Sequence, residues 1–231
     1  MSVELSFVLP CLNESKTIAT CIQKARLGAQ RSNLVNYEII VADNGSHDGS
    51  QTIAISQGAK VLNIYKRGYG AALIEGFYAA SGKYILMGDT DGTYDFSEIE
   101  VFVEKLRSGH LIVMGTRLKG GIEYRAMPFL HRYIGTPFLT SLGNHLFGCG
   151  ITDINCGLRA FNRETILSLK LITTGMEFAS EMPIRAAIAN LPITEVPIKY
   201  YRSKCYRKSH LRTWRDGLRH LWGMIYYLKS N

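Results

Sequence analysis

Residues 5–114 alternate short strand-like runs with helix-like stretches, joined by links of a few residues. Leu5 to Leu9 is a buried-strand run that Pro10 ends, and Asn13-Glu14-Ser15 offers capping chemistry for an amphipathic helix reaching Gln30. Tyr37–Val41, Ala59–Ile64, Lys83–Met87 and Leu111–Met114 read as further strands. Helical patterns over Asp48–Gln57, Tyr69–Ala80 and Ser97–Arg107 lie between them. This alternation dictates βαβ units and a mostly parallel sheet covered on both faces. The second half is less regular. Met127–Phe147 reads as one or two apolar helices, Gly157–Phe161 and Ile193–Tyr200 as strands, and Phe178–Asn190 as a helix whose Pro183 suits a first turn better than an interior. Residues 1–200 are expected to form one α/β domain, with 201–231 as a basic amphipathic extension.

In such open sheets ligands gather outside the carboxyl ends of the strands. Three polar clusters fall there: Pro10, Asn13 and Glu14 after the first strand, Asp43, Asn44 and Ser46 after the second, and Asp89 and Asp91 after the fourth. Taken alone, Asp43-Asn44-Gly45-Ser46 is also a good turn. Two carboxylates two residues apart, just past a buried strand, suit a hard cation that also holds substrate phosphates. Mg²⁺ or Mn²⁺ is therefore the expected cofactor, placed to offset charge on a departing diphosphate. Arg67-Gly68-Tyr69-Gly70 opens a helix, but position 73 is Leu73 where a dinucleotide fingerprint needs glycine, so a nicotinamide cofactor is rejected. Two readings of that turn stay open: phosphate attracted to a helix start beside Lys66 and Arg67, or close helix packing. His131 and His145 lack metal-ligand spacing and are read as packing residues.

The five cysteines, Cys11, Cys21, Cys149, Cys156 and Cys205, include no Cys-x-x-Cys pair, which speaks against a zinc site or disulfide framework and for a reducing cytoplasm. No signal peptide is read at the N-terminus, and no apolar run approaches the roughly 18 to 20 residues of a spanning helix. The net charge of +8 is localised: residues 199–231 hold nine basic residues against Asp216, and the rest of the chain is neutral. Leu211, Trp214, Leu218, Leu221, Trp222, Ile225 and Leu228 recur there at helical spacing, with Arg212, Arg215 and Arg219 on another face. Such a helix either lies in a membrane interface or packs its apolar stripe on its own domain or a second subunit.

With these residues in view, the chain resembles glycosyltransferase family 2 with the GT-A fold, and most closely its bacterial and archaeal branch related to dolichyl-phosphate sugar synthases. The segments carrying the likeness are FVLPCLNE (7–14), ADNGSHDGS (42–50), KRGYGAALIEG (66–76), GDTDGTYDF (88–96), AMPFLHRYIG (126–135), CGLRAF (156–161), TTGMEFASEM (173–182) and HLRTWRDGLRHL (210–221). The resemblance implies an inverting transfer from a nucleotide-sugar, by preference UDP-linked, to a polyprenyl phosphate at the cytoplasmic face of a membrane. Pro10, Leu12, Asn13, Glu14, Asp43, Asn44, Arg67, Gly70 and Thr90 would line the donor site, and Asp89 and Asp91 its metal. Arg117, Arg132, Glu177, Glu181, Arg207 and His210 would face the acceptor. In relatives with hydroxyl acceptors a carboxylate near Glu177 is the general base. The dolichyl-phosphate mannose synthases often have glutamine where this chain has Thr93, which puts metal ligation at that position in question. A soluble acceptor is one alternative. A binding module without catalysis is another, and the intact Asp-x-Asp argues against it. A membrane surface is the expected partner, nucleic acid is not, and a homo-oligomer is allowed.

Overall fold

A computed structural model describes residues 2–203 and 213–229. Seven strands form one sheet: β1 (Leu5–Cys11), β2 (Tyr37–Asp43), β3 (Lys60–Asn63), β4 (Tyr84–Met87), β5 (Ile112–Thr116), β6 (Arg159–Asn162) and β7 (Ile193–Pro197). Their order is β3-β2-β1-β4-β6-β5-β7. All neighbours are parallel except β6, which runs antiparallel to both β4 and β5. The helices are α1 (Ile18–Arg31), α2 (Ser50–Ser56), α3 (Tyr69–Ala79), α4 (Glu100–Arg107), α5 (Arg117–Gly120), α6 (Thr136–Phe147), α7 (Arg163–Ser168), α8 (Phe178–Ile188) and α9 (Thr213–Lys229). A single π-helical turn, His131–Gly135, precedes α6. Together these make the GT-A architecture of a mostly parallel sheet flanked by helices.

The alternating side chains of each strand bury both sheet faces. Phe7, Leu9, Leu86 and Val113 pack with Ile22 of α1 and Phe102 of α4 on one side. Val8, Ile85, Met87 and Phe161 pack with Phe77 of α3, Phe178 and Met182 of α8 and Met224 of α9 on the other.

Two expectations need correction. Pro10 does not end β1, which pairs with β2 as far as Cys11. Its pairing with β4 stops at Val8, so no ladder donor is needed from residue 10 on that side. Pro183 lies inside α8, not in its first turn. The missing N–H leaves the carbonyl of Ala179 without its helical donor, and the guanidinium of Arg159 supplies one at 2.8 Å.

Helix α9 uses its two faces differently. His220, Met224 and Tyr227 are buried against the body, whereas Leu218, Trp222 and Ile225 form an outward apolar stripe, with Trp222 70% exposed. Along the seam with α8, Arg219 pairs with Glu177, the His220 ring meets the Ser180 hydroxyl at 2.7 Å, and the Tyr227 hydroxyl donates to Glu181. No helix among the described residues is long and apolar enough to cross a membrane.

Candidate active site

The ends of β2, β1 and β4 are adjacent, so the three polar clusters meet at one sheet edge. Asp43 closes β2 and is buried. Its Oδ2 accepts from the N–H groups of Gly45 (3.0 Å) and Ser46 (2.9 Å) and from Gln51 Nε2 (2.6 Å). Burial works to raise this carboxyl, but the hydrogen bonds from Ser46, Gln51 and Gly45 outweigh it and hold the group below the usual carboxylate range. Asp43 Oδ1 is buried and has no hydrogen-bond partner among the described residues. Asn13 adopts a left-handed backbone (φ 59°). Its N–H donates to Ser46 Oγ at 2.8 Å, and its Oδ1 accepts from the N–H of His47 at 2.9 Å. Glu14 N–H donates to Ser50 Oγ at 2.8 Å, and Leu12 is half-buried between these anchors. The loops after β1 and β2 are thus stitched into one wall.

Asn44 serves construction. Its amide donates to the carbonyls of Ile64 and Lys66, and its Oδ1 accepts from Gly68 N–H at 2.7 Å. Arg67 is exposed and donates to the Asn44 carbonyl. At Gly70 the turn is closely packed. A Cβ there would fall 2.2 Å from the carbonyl oxygen of Thr173 and 2.8 Å from Phe178 Cβ, so only glycine lets α3 press on residues 173–178.

At the end of β4 the Thr90 hydroxyl donates to the Pro10 carbonyl at 2.7 Å, tying the carboxylate loop to β1. Asp89 Oδ1 accepts from the Tyr69 hydroxyl at 2.8 Å. Asp91 Oδ1 accepts from the backbone N–H (3.0 Å) and hydroxyl (2.6 Å) of Thr93. Position 93 therefore orients the carboxylate. In both aspartates Oδ1 is anchored, while Oδ2 takes no hydrogen bond among the described residues. Gly157 backs this arrangement: a Cβ there would lie 2.6 Å from Asp89 Oδ2. Burial first, and then the charge of Asp91, push the Asp89 carboxyl up to about 6, against the hydrogen bond from Tyr69. Two carboxylates, each anchored through Oδ1 and repelling one another, fit a divalent cation whose other ligands come from phosphate and water. No cluster of three or more His, Cys, Asp or Glu exists among the described residues.

That raised carboxyl sets a pH dependence. A divalent cation held at Asp89 would compete with protons there, so apparent Mn²⁺ affinity is expected to fall about tenfold per pH unit below about 6 and to level off above it. Without metal the sign for this group is the reverse of a salt-bridged aspartate. Its folded value lies above the unfolded 3.8, so its own contribution, read as wild type against Asp89→Asn, grows as pH falls from about 6 toward 3.8, while Glu4, Glu38, Asp43, Asp48 and Asp95, all held low, work the other way. Mn²⁺ titration and thermal melts between pH 5 and 8 check both signs.

The acceptor-side expectations fare unequally. Arg117 is buried, with Nε and Nη2 both 2.7 Å from the two oxygens of Asp153 and its guanidinium 5.2 Å from the Tyr200 ring centre. Its fork is taken up by Asp153. Glu181 is likewise held by neighbours within the protein. It accepts from the N–H groups of Ile172 and Thr173, both at 2.9 Å, and from the hydroxyls of Thr173 and Tyr227, so it fastens a loop and α9 to α8. Glu177 begins α8. Its Oε1 accepts from Gly175 N–H and from Arg219 Nη2 at 2.9 Å, while its Oε2 is buried without a partner among the described residues. Arg132 lies on the π-helical turn, partly exposed, 5.2 Å from the Tyr133 ring centre. Arg207 and His210 lie outside the described residues. Tyr69, Asp153, Gly157 and Arg159 went unassigned in the sequence. The only signal for Asp153 is an acid inside the apolar run Ile151–Ile154.

The glycosyl transferase family 2 model matches residues 6–168, more than half of the chain. The chain belongs to glycosyltransferase family 2. Among curated relatives, the low-salt glycan biosynthesis hexosyltransferase Agl6 of Haloferax volcanii is 39% identical over 222 residues, covering 96% of this chain and 53% of that protein. Glycosyltransferase AglJ of the same organism is 31% identical over 90% of this chain and 66% of its own length. The family member described here thus spans about half the length of Agl6. A dolichyl-phosphate hexose transferase of H. volcanii is 29% identical, with 85% of this chain and 82% of that one covered. Among solved structures, glucosyl-3-phosphoglycerate synthase from Mycobacterium tuberculosis, in complex with Mn²⁺, UDP and glucosyl-3-phosphoglycerate, has a TM-score of 0.73 at 21% identity. That match covers 98% of this chain and 80% of the synthase, and the likeness is one of fold.

Proposed function

We propose that this chain is a metal-dependent hexosyltransferase that moves a sugar, with inversion, from a UDP-linked donor to a polyprenyl phosphate at the cytoplasmic face of a membrane. The observation carrying the donor half is the pair of anchored carboxylates, Asp89 and Asp91, beside the unpartnered Oδ1 of Asp43. That buried acceptor suits a ring N–H of a nucleobase, which the N3–H of uracil supplies. The Mn²⁺ and UDP of the glucosyl-3-phosphoglycerate synthase support the same reading. The lipid acceptor draws support from the dolichyl-phosphate hexose transferase relative.

In this reading Asp43 and the Asn13–Ser46 wall seat the nucleoside, while Tyr69 and Thr93 hold Asp89 and Asp91 in register with the diphosphate. Bound between them, Mg²⁺ or Mn²⁺ would supply Lewis-acid stabilisation of the departing diphosphate. An acceptor phosphate oxygen, already ionised, attacks the anomeric carbon opposite the leaving group. The sugar–oxygen bond to the diphosphate breaks, and the nucleoside diphosphate leaves without a general base. Arg132 supplies cationic help to the acceptor phosphate. A transfer assay with a short polyprenyl phosphate in detergent, with and without Mn²⁺ and across several nucleotide-sugars, tests this. Absence of donor binding with metal present would overturn it.

The membrane half rests on the outward stripe Leu218–Trp222–Ile225 of α9 together with exposed Phe129, Tyr133, Ile134 and Phe138 around the π-helical turn. Basic residues near an anionic surface contribute about 1 kcal/mol each. Trp222→Glu with Ile225→Glu is expected to cut co-flotation with anionic vesicles at least tenfold, leaving UDP binding unchanged. A second reading, a hydroxyl acceptor, is favoured by the buried, unpartnered Oε2 of Glu177, which is available as a base. Glu177→Gln separates the two. Transfer to a phosphate acceptor should change little, whereas a loss confined to hydroxyl acceptors would establish the second reading.

A further inference from the structure

Arg159 is fully buried, yet it makes no ion pair among the described residues. Its Nε donates to the carbonyl of Cys156 at 2.7 Å, and its Nη2 donates to those of Ile154 (2.9 Å) and Ala179 (2.8 Å). Its Nη1 is buried without a partner among the described residues. The desolvation cost of such a cation is large, and a strand residue with no other task would be apolar. Two facts point to a task. The carbonyls of Ile154 and Cys156 lie in the stretch leading into Gly157, where an added Cβ would fall 2.6 Å from Asp89 Oδ2 and whose N–H donates to the Tyr94 hydroxyl at 2.7 Å. The carbonyl of Ala179 belongs to the first turn of α8, the helix that Glu177 begins, and it is vacant because Pro183 cannot donate to it.

We propose that Arg159 is a positioning residue, a clamp that joins the wall behind the metal-site carboxylate Asp89 to the start of the acceptor-side helix, with Pro183 keeping the Ala179 carbonyl open for it. The proposal rests on the reading of Asp89 as a donor-site carboxylate. The guanidinium fork spans three carbonyls that an ammonium cannot reach at once. It fixes the distance between residues 154–157 and α8, and with it the room left beside Asp89 Oδ2. Pro183 acts at one remove: an amide N–H at that position would turn the Ala179 carbonyl back along the helix axis and away from Arg159.

The test measures Mn²⁺ binding in the presence of UDP, alongside thermal melts, for wild type, Asp89→Ala, Arg159→Lys and Pro183→Ala. Arg159→Lys, which keeps the charge and loses the fork, is expected to weaken Mn²⁺ binding about tenfold. Pro183→Ala is expected to weaken it about threefold while leaving the melting temperature equal or higher, because proline is the poorer helix residue. A purely structural role would move affinity and stability in the same direction. If both variants bind Mn²⁺ as wild type does while Asp89→Ala loses binding, the clamp is overturned. If Asp89→Ala also binds normally, the donor-site reading itself fails. Should Arg159→Lys not fold, Pro183→Ala decides alone.

Discussion

Asp91→Ala should lower kcat/KM for sugar transfer by about a thousandfold while the protein still folds. Asp91 is the cleaner of the two carboxylates to remove. Among the described residues its Oδ1 is held by Thr93, two residues away, whereas Asp89 is bonded to Tyr69 on a separate element, α3. A metal that stabilises a leaving diphosphate is worth several kcal/mol of transition-state energy, and each 1.36 kcal/mol is a factor of ten. The loss should appear at saturating donor and should not be rescued by raising Mn²⁺ into the millimolar range. Thr93→Val is the graded companion, removing one oriented hydroxyl, and should cost roughly tenfold. Rates within a few-fold of wild type for Asp91→Ala would remove the metal from the reaction scheme.

Asp153→Ala is expected to be the most damaging single change to stability. Arg117 and Asp153 are both buried and joined by two 2.7 Å hydrogen bonds, with a third from the Arg117 N–H at 3.1 Å. Removing one partner strands the other charge, which typically costs about 3–5 kcal/mol. In a domain of this size that lowers the melting temperature by roughly 10 °C. The double change Arg117→Met with Asp153→Ala should recover much of the loss, since no charge is then left buried alone. Urea denaturation of the two variants checks both statements. If the double variant is no better than the single one, the damage comes from packing and not from the stranded cation.

How far the sequence reached depended on the range of the interaction. The alternation from Leu5 to Met114 is local, and β1 through β5 fall where their periodicity places them, with β1, β2 and β5 each running two residues further, to Cys11, Asp43 and Thr116. The aspartate pair was legible because its chemistry lies in adjacent residues. The Arg117–Asp153 pair was not legible because the two residues are 36 positions apart, with an irregular stretch between. The hydrogen bonds of Glu181 were not legible because they come from residues 172–173 and from Tyr227 on α9. Pro183 was misplaced because the donor that relieves its missing N–H sits on β6, beyond the reach of any helix rule. Close packing at Gly70 was one of two readings in the sequence, and the chain that presses on it runs from Thr173 to Phe178.

The insertion of β6 between β4 and β5 has a consequence for how the chain is made. During synthesis β4 and β5 emerge some 25 residues apart, yet neither can be closed against the other, because the strand that separates them is Arg159–Asn162. Until those four residues leave the ribosome, the strand carrying the aspartate pair at its end is an open edge with unpaired backbone groups, and such edges recruit other chains. Completion of the donor site and protection of the nascent protein from aggregation are therefore one event, timed by the arrival of the second half.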